Sequence, residues 1–347
     1  MSKLSVNLVV WNGAKYLPYL FDSLRKQIYQ DWELQILDNN STDNTVEIIE
    51  KEIINFPVPV KFFKEKENHG FAKGHNILFK ENESEYFLLL NQDMYLENTV
   101  LEKMVDFLDK NSAVAAVSPR LMRWDFAKIG EGLNNTFSFS VDALGLKVFR
   151  NRRVIEQYTG ENWEEIKSKF GVNNILEVFG VSGAFPMYRR EAIKNVLFSD
   201  GQMLDESYHS YKEDVDLAWR LRLSGNSSFI MLNTVAYHDR AGAGPKEKSD
   251  LAAMQNKKKH SPWVKYYSYR NHLMTLYKNE NSKNFWLDFI FIAWYELKKL
   301  VYFIVFDPKV LKGWKDIWLM KKDLKNKRQE IKKIIKISMG DLRKWWK

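Results

Sequence analysis

Cysteine is absent from this chain of 347 residues, and its absence excludes two kinds of feature. Without a thiol the protein can form no disulfide framework, and it can offer no thiolate ligand to a metal ion. The composition therefore agrees with a protein that works in a reducing compartment.

Long apolar segments are missing as well. The N-terminus, MSKLSVNLVVWNG, has neither the extended apolar core nor the small-residue cleavage site of a signal peptide, and its apolar run has the length of a strand. No window of about 20 residues is free of charged side chains, so we expect no membrane-spanning helix. We therefore expect a cytoplasmic protein whose contact with the inner face of the cell membrane, if it has one, is peripheral.

The body of the chain lacks a net charge, although the whole chain carries +9. Residues 312–347 contain 13 Lys or Arg against four Asp or Glu, which leaves 40 residues of each sign in the first 311. A neutral body with no recognition motif argues against a nucleic-acid-binding protein. The net positive charge of the chain therefore comes entirely from residues 312–347.

Hydrophobic residues make up 45% of the chain, enough to fill a large core. In the first 120 residues, strand-like segments alternate with helix-like ones, and the strands are continuous apolar runs. This pattern predicts a Rossmann-like α/β fold, in which helices cover both faces of a mostly parallel sheet. Strands are predicted at 6–11, 33–38, VKFFK and YFLLL, and helices at 16–27, 42–54, 71–81 and 99–109. We expect Ser41 or Thr42 to cap the second helix.

The later part of the chain is predicted to differ. Between residues 123 and 174 the periodicity weakens, and we expect an irregular insertion there. A further helix is predicted over Lys212–Gly225. We expect an α/β domain over 1–245 and a C-terminal helical appendage over 246–347.

The segment Phe285–Phe306 predicts an amphipathic helix. Its apolar face would hold Trp286, Ile290, Ala293, Leu297, Leu300 and Ile304. Its polar face would hold Asp288, Glu296, Lys298 and Lys299. Two interpretations stay open: a helix that packs on the rest of the protein, or an interfacial helix that gives peripheral membrane contact through residues 285–347.

Four polar segments follow one another in a fixed order. They are DNNSTDNT (38–45), NHGFAKGHN (68–76), LLLNQDM (88–94) and DESYHSYKEDVDLAWR (205–220). The first and third follow predicted strands, where ligands bind in open α/β sheets. Together they resemble the family 2 glycosyltransferases, which have the GT-A fold, and especially the bacterial branch that includes rhamnosyltransferases. The resemblance covers roughly residues 4–240.

The resemblance implies transfer of a sugar, with inversion, from a nucleoside diphosphate sugar to an acceptor hydroxyl. It places Asp38 against the base, and a carboxylate can accept the imide N–H of uracil or thymine. Backbone around Val10, Trp11 and Asn12 would flank the same base. The remaining predicted nucleotide contacts are Asn40, Asn68, Gly70, Lys73, Gly74, Asn91 and Gln92. Among these, the glycines and Lys73 stand beside a predicted helix start, which offers an approach to phosphate or ribose.

The triplet Asn91–Asp93 occupies the place of the family's DxD motif, whose last Asp binds a divalent cation. Mg²⁺ or Mn²⁺ prefers hard oxygen ligands and would neutralise charge on the departing diphosphate. The first Asp of the motif is Asn91 here, which leaves one carboxylate. His238, in VAYHDR, stands where the family often has a second metal ligand.

The family's general base falls on Glu213-Asp214, and we assign Asp214 the role, with Glu213 as the second candidate. Their predicted place in the first turn of a helix should keep both ionised. Asp216 and Arg220 are expected to be only an i,i+4 pair. Gly183 and Ala184 would line the sugar and acceptor pocket.

The donor is predicted to be dTDP-rhamnose, with a UDP-hexose as the alternative, and the acceptor a cell-surface glycan or a lipid-linked one. A sugar nucleotidyltransferase would need a Gly-rich loop with Arg and Lys after the first strand, which residues 11–15 do not supply. A catalytically weak family member that only binds a sugar nucleotide stays open, because Asn91 replaces a carboxylate.

Overall fold

The computed structural model describes residues 2–240 and 261–347. The expected domain boundary at 245/246 lies outside the described residues. The strands are β1 (Leu4–Val10), β2 (Trp32–Asp38), β3 (Val60–Lys64), β4 (Tyr86–Leu90), β5 (Met94–Leu96), β6 (Val114–Trp124), β7 (Phe137–Ala143), β8 (Leu146–Val148), β9 (Val154–Glu156), β10 (Ile175–Val178), β11 (Met187–Arg189) and β12 (Ser227–His238). The α-helices are α1 (Leu17–Arg25), α2 (Thr45–Glu52), α3 (Gly70–Lys80), α4 (Val100–Lys110), α5 (Trp163–Ile166), α6 (Arg190–Lys194), α7 (Glu213–Leu223), α8 (Pro262–Asn279), α9 (Ser282–Leu287), α10 (Phe289–Phe306), α11 (Lys312–Leu319), α12 (Lys321–Lys333) and α13 (Met339–Arg343).

Ten strands form one sheet in the order β10-β12-β6-β11-β4-β1-β2-β3, with β5 on β12 and β7 on β6. The long ladders are parallel, as between β1 and β2, β1 and β4, and β6 and β12. The antiparallel ladders are shorter, and β11 enters the sheet antiparallel to both of its neighbours. Strands β8 and β9 pair separately. The predicted mostly parallel α/β sheet is confirmed.

Both faces of the sheet are buried beneath helices. Along β4, Tyr86 and Leu88 join a core with α1 and α4, while Phe87 and Leu89 join a second core with α3 and α7. Successive residues of a strand point to opposite faces, so a fully apolar strand needs cover on both sides. This requirement explains why YFLLL shows no polar alternation.

The switch in strand order sets the position of the site. The chain moves from β1 to β2 on one side and reaches β4 on the other, so the exits of all three strands meet at one edge. In the ladder, Val10 pairs with Asp38, and Leu8 pairs with Leu90. The residues that follow these positions are therefore neighbours, as the rule for open α/β sheets predicts.

Two local predictions are wrong. Helix α2 begins at Thr45 with Asn44 as its N-cap, because the Ser41 hydroxyl accepts a hydrogen bond from the Asn12 amide instead of capping the helix. The stretch from 123 to 174 is also more regular than expected, since it contains β7, β8, β9 and α5. Its strands are short and pair with neighbours in the sequence, β7 with β6 and β8 with β9.

The predicted helix at Phe285–Phe306 is divided at Asp288 into α9 and α10. Asp288 is buried and accepts hydrogen bonds from Arg150 at 3.0 Å, Arg152 at 3.0 Å and Arg343 at 2.9 Å. Because it pairs with three arginines, Asp288 lies inside the protein and not on the polar face that the sequence predicted. Of the predicted apolar face, Ile290, Leu297 and Ile304 are exposed, while α10 packs on the protein through Ile292, Tyr302 and Phe303.

A buried charge network fastens the helical appendage to the α/β part. Lys278 of α8 lies 2.9 Å from Asp216, and it also pairs with Asp205. Lys327 of α12 lies 2.7 Å from the same Asp205. Burial alone would raise the pKa of Asp205, but the two lysines hold it well below its usual value. Asp216 also bonds Arg220 at 3.0 Å, so the predicted i,i+4 pair is confirmed, and it is buried.

Candidate functional site

The loop after β1 is fixed by side chains from two neighbouring strand exits. The Gln92 side chain accepts a hydrogen bond from the Trp11 amide at 2.8 Å and donates one to the Trp11 carbonyl at 3.1 Å. Asn12 donates its amide N–H to Ser41 at 2.9 Å and accepts from the Thr42 amide at 2.8 Å. The exits of β1, β2 and β4 thus form one unit. Gln92 positions the loop, because its amide is already used on Trp11.

Asp38 presents an unused acceptor at this edge. The residue is buried, and its Oδ2 accepts from the Ser41 amide at 3.1 Å. Its Oδ1 is also buried and has no hydrogen-bond partner among the described residues. An unsatisfied buried acceptor is costly, and a ligand N–H would remove that cost. Asn40, which follows in the left-handed region at φ 62°, is exposed beside it.

The start of α3 is occupied by another part of the chain. The amides of Phe71 and Ala72 donate to the His209 carbonyl at 2.8 and 3.2 Å. A Cβ at Gly70, which has φ +76°, would lie 2.4 Å from the His209 ring, so only glycine fits there. These two amides are therefore already paired within the chain, and the nucleotide contacts expected at this helix start stay predictions.

The other predicted nucleotide contacts of this segment, Asn68, Lys73 and Gly74, have surroundings different from those of Gly70. Asn68 accepts from the Gly70 amide at 2.8 Å and so shapes the turn. A Cβ at Gly74 would stand 3.0 Å from Val9, so this glycine allows α3 to pack closely on β1. Lys73 is half-buried in the first turn of α3.

Asp93 and His238 lie side by side, as the metal-site prediction requires. The Asp93 carboxylate lies 3.3 Å from His238 Nε2, and the other ring nitrogen lies 2.9 Å from Asp142. His238 reaches this place because the end of β12 pairs with β5, directly after the triplet. Asp142 fixes the ring so that Nε2 points toward Asp93.

The donor set suits a hard cation that also has ligands from a diphosphate. One carboxylate and one imidazole leave most of an octahedral shell to phosphate oxygens and water, which is how Mg²⁺ and Mn²⁺ are commonly held. Among residues 2–240 and 261–347, no group of three or more Asp, Glu or His could hold a metal ion without such help. Asn91, whose amide N–H donates to the Ala184 carbonyl at 3.1 Å, adds no charge.

We expect the affinity for Mn²⁺ to rise with pH. Burial alone would lower the pKa of His238, but Asp93 and Asp142 raise it to about 9. Below that pH the ring carries a proton on Nε2, which a metal must displace, so affinity should rise by about tenfold per pH unit. Titration of free Mn²⁺ by electron paramagnetic resonance, with UDP present, checks this slope. Asp142→Asn should move the rise to lower pH, and a flat profile in both proteins would contradict the role of His238.

A second charged group lies behind the histidine. Arg240 is 3.3 Å from Asp142 and 3.3 Å from Glu156, and it donates a hydrogen bond to Ser182 at 3.2 Å. The pKa of Asp142 is lowered despite burial because Arg240 and His238 are positively charged beside it. Arg240 thus connects the histidine to the segment that contains Gly183.

Gly183 and Ala184 join the triplet to the predicted base. The Gly183 amide donates to Asp214 Oδ2 at 3.2 Å, and the Ala184 carbonyl accepts from the Asn91 amide at 3.1 Å. A Cβ at Gly183 would lie 3.4 Å from the Asp214 side chain. The Val215 amide donates to the other carboxylate oxygen of Asp214 at 2.8 Å. Two backbone amides therefore orient this partly exposed carboxylate.

Glu213 differs from Asp214 in its protonation. Burial and the adjacent charge of Asp214 raise the pKa of Glu213 to about 8. The expectation that the helix N-terminus keeps both ionised is wrong for Glu213, because desolvation outweighs the helix dipole. The buried surroundings of Glu213 thus favour its neutral form, whereas Asp214 is partly exposed and held by two backbone amides.

The loop before α7 is strained and leads to an aromatic cavity. His209, Tyr211 and Lys212 all have positive φ, an arrangement that costs free energy and clusters at functional sites. Tyr211 packs on Trp263 with ring centroids 5.6 Å apart. Trp263 lines a cavity of about 640 Å³, with Pro262, Tyr266, Tyr267, Phe306, Asp307, Pro308, Lys309, Val310 and Lys312.

Asp142 and Arg240 were not predicted from the sequence. Asp142 lies 96 positions before His238 and belongs to the stretch that was expected to be irregular. Arg240 stands two positions after His238, and this proximity was the only local signal. Tyr16 is a third residue that the sequence did not predict here, and its hydroxyl donates a hydrogen bond to Asp239 at 2.7 Å.

Comparison with known proteins identifies a family. The model of Glycosyl transferase family 2 matches residues 5–197, more than half of the chain. An uncharacterized glycosyltransferase of Haemophilus influenzae is 34% identical over 114 residues, 33% of this chain and 45% of that protein. The poly(ribitol-phosphate) beta-N-acetylglucosaminyltransferase TarS of Staphylococcus aureus is 31% identical over 113 residues, 32% of this chain and 20% of TarS. The chain thus spans less than half the length of these curated relatives.

Solved structures show the same fold. The mannosyltransferase PcManGT from Pyrobaculum calidifontis, in complex with GDP-Man and Mn²⁺, matches with a TM-score of 0.51 and 15% identity, covering 90% of this chain and 72% of that one. TarS residues 1–349, in complex with UDP-GlcNAc, match with a TM-score of 0.50 and 17% identity, covering 96% and 82%.

Proposed function

The chain belongs to glycosyltransferase family 2, and from this premise we propose that it is an inverting, metal-dependent transferase that uses a pyrimidine nucleoside diphosphate sugar. One observation carries the proposal. The unused oxygen of Asp38, the Asp93–His238 pair and the oriented carboxylate of Asp214 converge at one edge of the sheet, joined through Gly183 and Ala184.

The base contact supports a pyrimidine donor. Asp38 Oδ1 is an acceptor without a partner among the described residues, and the imide N–H of uracil or thymine is a matching donor. We propose dTDP-rhamnose as the donor. A UDP-hexose is the alternative, favoured by the complex of TarS with UDP-GlcNAc.

Asp93 and His238 would hold the divalent cation, with Asp142 orienting the histidine. When bound, Mg²⁺ or Mn²⁺ supplies stabilisation of the charge on the leaving diphosphate. Asn91 and Gln92 are neutral neighbours, and Gln92 keeps the loop after β1 in place.

Asp214 takes the proton of the acceptor hydroxyl. As that oxygen bonds to the anomeric carbon from the face opposite the diphosphate, the bond to the diphosphate breaks and its electron pair leaves with the phosphate oxygen. The amides of Gly183 and Val215 hold the carboxylate in position during this step. Glu213, whose pKa is raised by burial and by the charge of Asp214, is the second candidate for the base.

The acceptor is proposed to be a glycan or lipid-linked glycan hydroxyl. The aromatic cavity supports it, because Trp263 connects that cavity to Tyr211, two residues before Glu213. We further propose that residues 1–245 carry out the transfer at the cytoplasmic face of the membrane, and that 246–347 form the helical appendage.

A panel of nucleotide sugars with Mg²⁺ or Mn²⁺ tests the donor. A ligand that binds at 100 times its Kd stabilises the protein by about 2.7 kcal/mol. dTDP-rhamnose and UDP-hexoses should therefore raise the thermal midpoint. GDP-mannose should not, because its purine base does not match the acceptor at Asp38. Asp38→Asn keeps an oxygen for Ser41 but loses the second acceptor, so the pyrimidine preference should disappear while the unliganded midpoint stays the same. Equal stabilisation by GDP-mannose in the unaltered protein would refute the assignment.

A further inference from the structure

The outer side of helix α10 is an apolar surface. Ile290, Trp294, Leu297, Val301 and Ile304 are all exposed, with exposed fractions as high as 78% for Ile290 and 61% for Trp294. Their spacing of three or four residues places them along one face of the helix. Soluble proteins seldom leave such a surface in contact with water unless it binds something.

The charges of α10 lie mainly on its inward side. The Glu296 carboxylate is 2.7 Å from His272 and 3.4 Å from Lys299, and Lys299 is buried. The inward side of α10 thus holds the Glu296–Lys299 pair together with the buried Ile292, Tyr302 and Phe303, while its outward side is mostly apolar. Exposing this face to water costs free energy, which an apolar neighbour would remove.

The surface extends onto the flanking helices. On one side, the Trp286 ring of α9 packs on Phe289 with centroids 5.2 Å apart, and Trp286 is exposed. On the other side, the short turn Pro308–Leu311 leads to α11, where Trp314 and Trp318 are exposed. We call the outer faces of α10 and α11 the docking surface.

Exposed lysines accompany these tryptophans. They are Lys309, Lys312, Lys315, Lys321 and Lys322. Lys321 lies 4.2 Å from the centre of the Trp318 ring. Tryptophan is enriched at the level of lipid head groups, and lysines there attract anionic lipids. The docking surface thus combines an apolar face with a basic border.

We propose that the docking surface lies in the interfacial layer of a membrane that contains anionic lipids. Charge complementarity selects this occupant over a second copy of the chain, because a dimer through this surface would bring two tails with a surplus of nine positive charges together. No helix in the described part of the chain is long and apolar enough to cross a membrane, so the surface lies along the interface. The proposal does not depend on the donor or the catalytic residues.

Vesicle sedimentation of the full chain tests the proposal. The protein should pellet with vesicles of phosphatidylcholine and phosphatidylglycerol, and much less with phosphatidylcholine alone or at high salt. Lys312→Glu with Lys315→Glu should weaken binding by at least about fivefold per lysine. Trp294→Ser should weaken it too, since it removes a large apolar contact with the interface.

Matched variants separate docking from misfolding. Phe139 is as exposed as Trp294 but lies on β7, and Lys110 is exposed at the end of α4, so Phe139→Ser and Lys110→Glu should bind vesicles like the unaltered protein. All variants should keep their thermal midpoints. Absence of sedimentation with anionic vesicles, or equal loss in test and control variants, would overturn the proposal. So would a dimer that Trp294→Ser dissociates when vesicle binding is absent, since a second copy would then cover the surface.

Discussion

Replacing Asp214 with asparagine is expected to lower kcat by about 10²–10⁴-fold, the usual contribution of a general base, and to leave donor binding nearly unchanged. Asparagine has the same shape and keeps an oxygen for the Gly183 amide, so the loop between the triplet and α7 should hold. What is lost is the ability to take the proton. Turnover of the donor sugar with acceptor, together with calorimetry of donor binding, measures the two effects separately.

Glu213→Gln provides the matched comparison. Glutamine resembles the protonated form that Glu213 adopts when burial and Asp214 raise its pKa to about 8. We therefore expect this variant to lose far less activity than Asp214→Asn at neutral pH. The opposite order would assign the base to Glu213, and full activity in both variants would place it elsewhere.

Asp93→Ala is expected to have the second large effect. It removes the only carboxylate of the proposed metal pair, and the loss of several kcal/mol of charge stabilisation corresponds to a fall in kcat/KM of about a thousandfold. The residual activity should no longer respond to added Mn²⁺ or to a chelator. Initial rates with and without chelator, in the unaltered protein and the variant, give the measurement.

The controls for Asp93→Ala concern structure and metal binding. The carboxylate is partly exposed and its main protein neighbour is His238, so the thermal midpoint should change little. Mn²⁺ binding in the presence of UDP should be lost together with activity. If the unaltered enzyme turns over equally with and without chelator, the metal role of Asp93 and His238 is wrong.

The sequence was sufficient for features that depend on local pattern. Continuous apolar runs predicted the covered parallel sheet, and the order of the strands predicted that Asp38 and Asp93 would share an edge. Both conclusions follow from the chemistry of a few neighbouring residues and from sheet topology.

Features that depend on distant partners were beyond reach. Asp142 approaches His238 across 96 positions of chain. The pKa of Glu213 is raised by burial that its helix position does not reveal. The inward side of α10 is the one on which Glu296 meets His272 and on which Tyr302 and Phe303 pack against Tyr269. In each case a tertiary contact, not the local pattern, decides the outcome.

The network of Asp205, Asp216, Lys278 and Lys327 has a consequence for how this chain can be recombined. Each buried charge is balanced by a residue from the other part of the molecule. A chimera that exchanges only the C-terminal helices with those of a relative would take both lysines away from the buried Asp205 and leave Asp216 with Arg220 alone, at a cost of about 3–5 kcal/mol for each broken pair. A chimera that keeps its stability should therefore take α8, α12, Asp205 and Asp216 from the same parent protein.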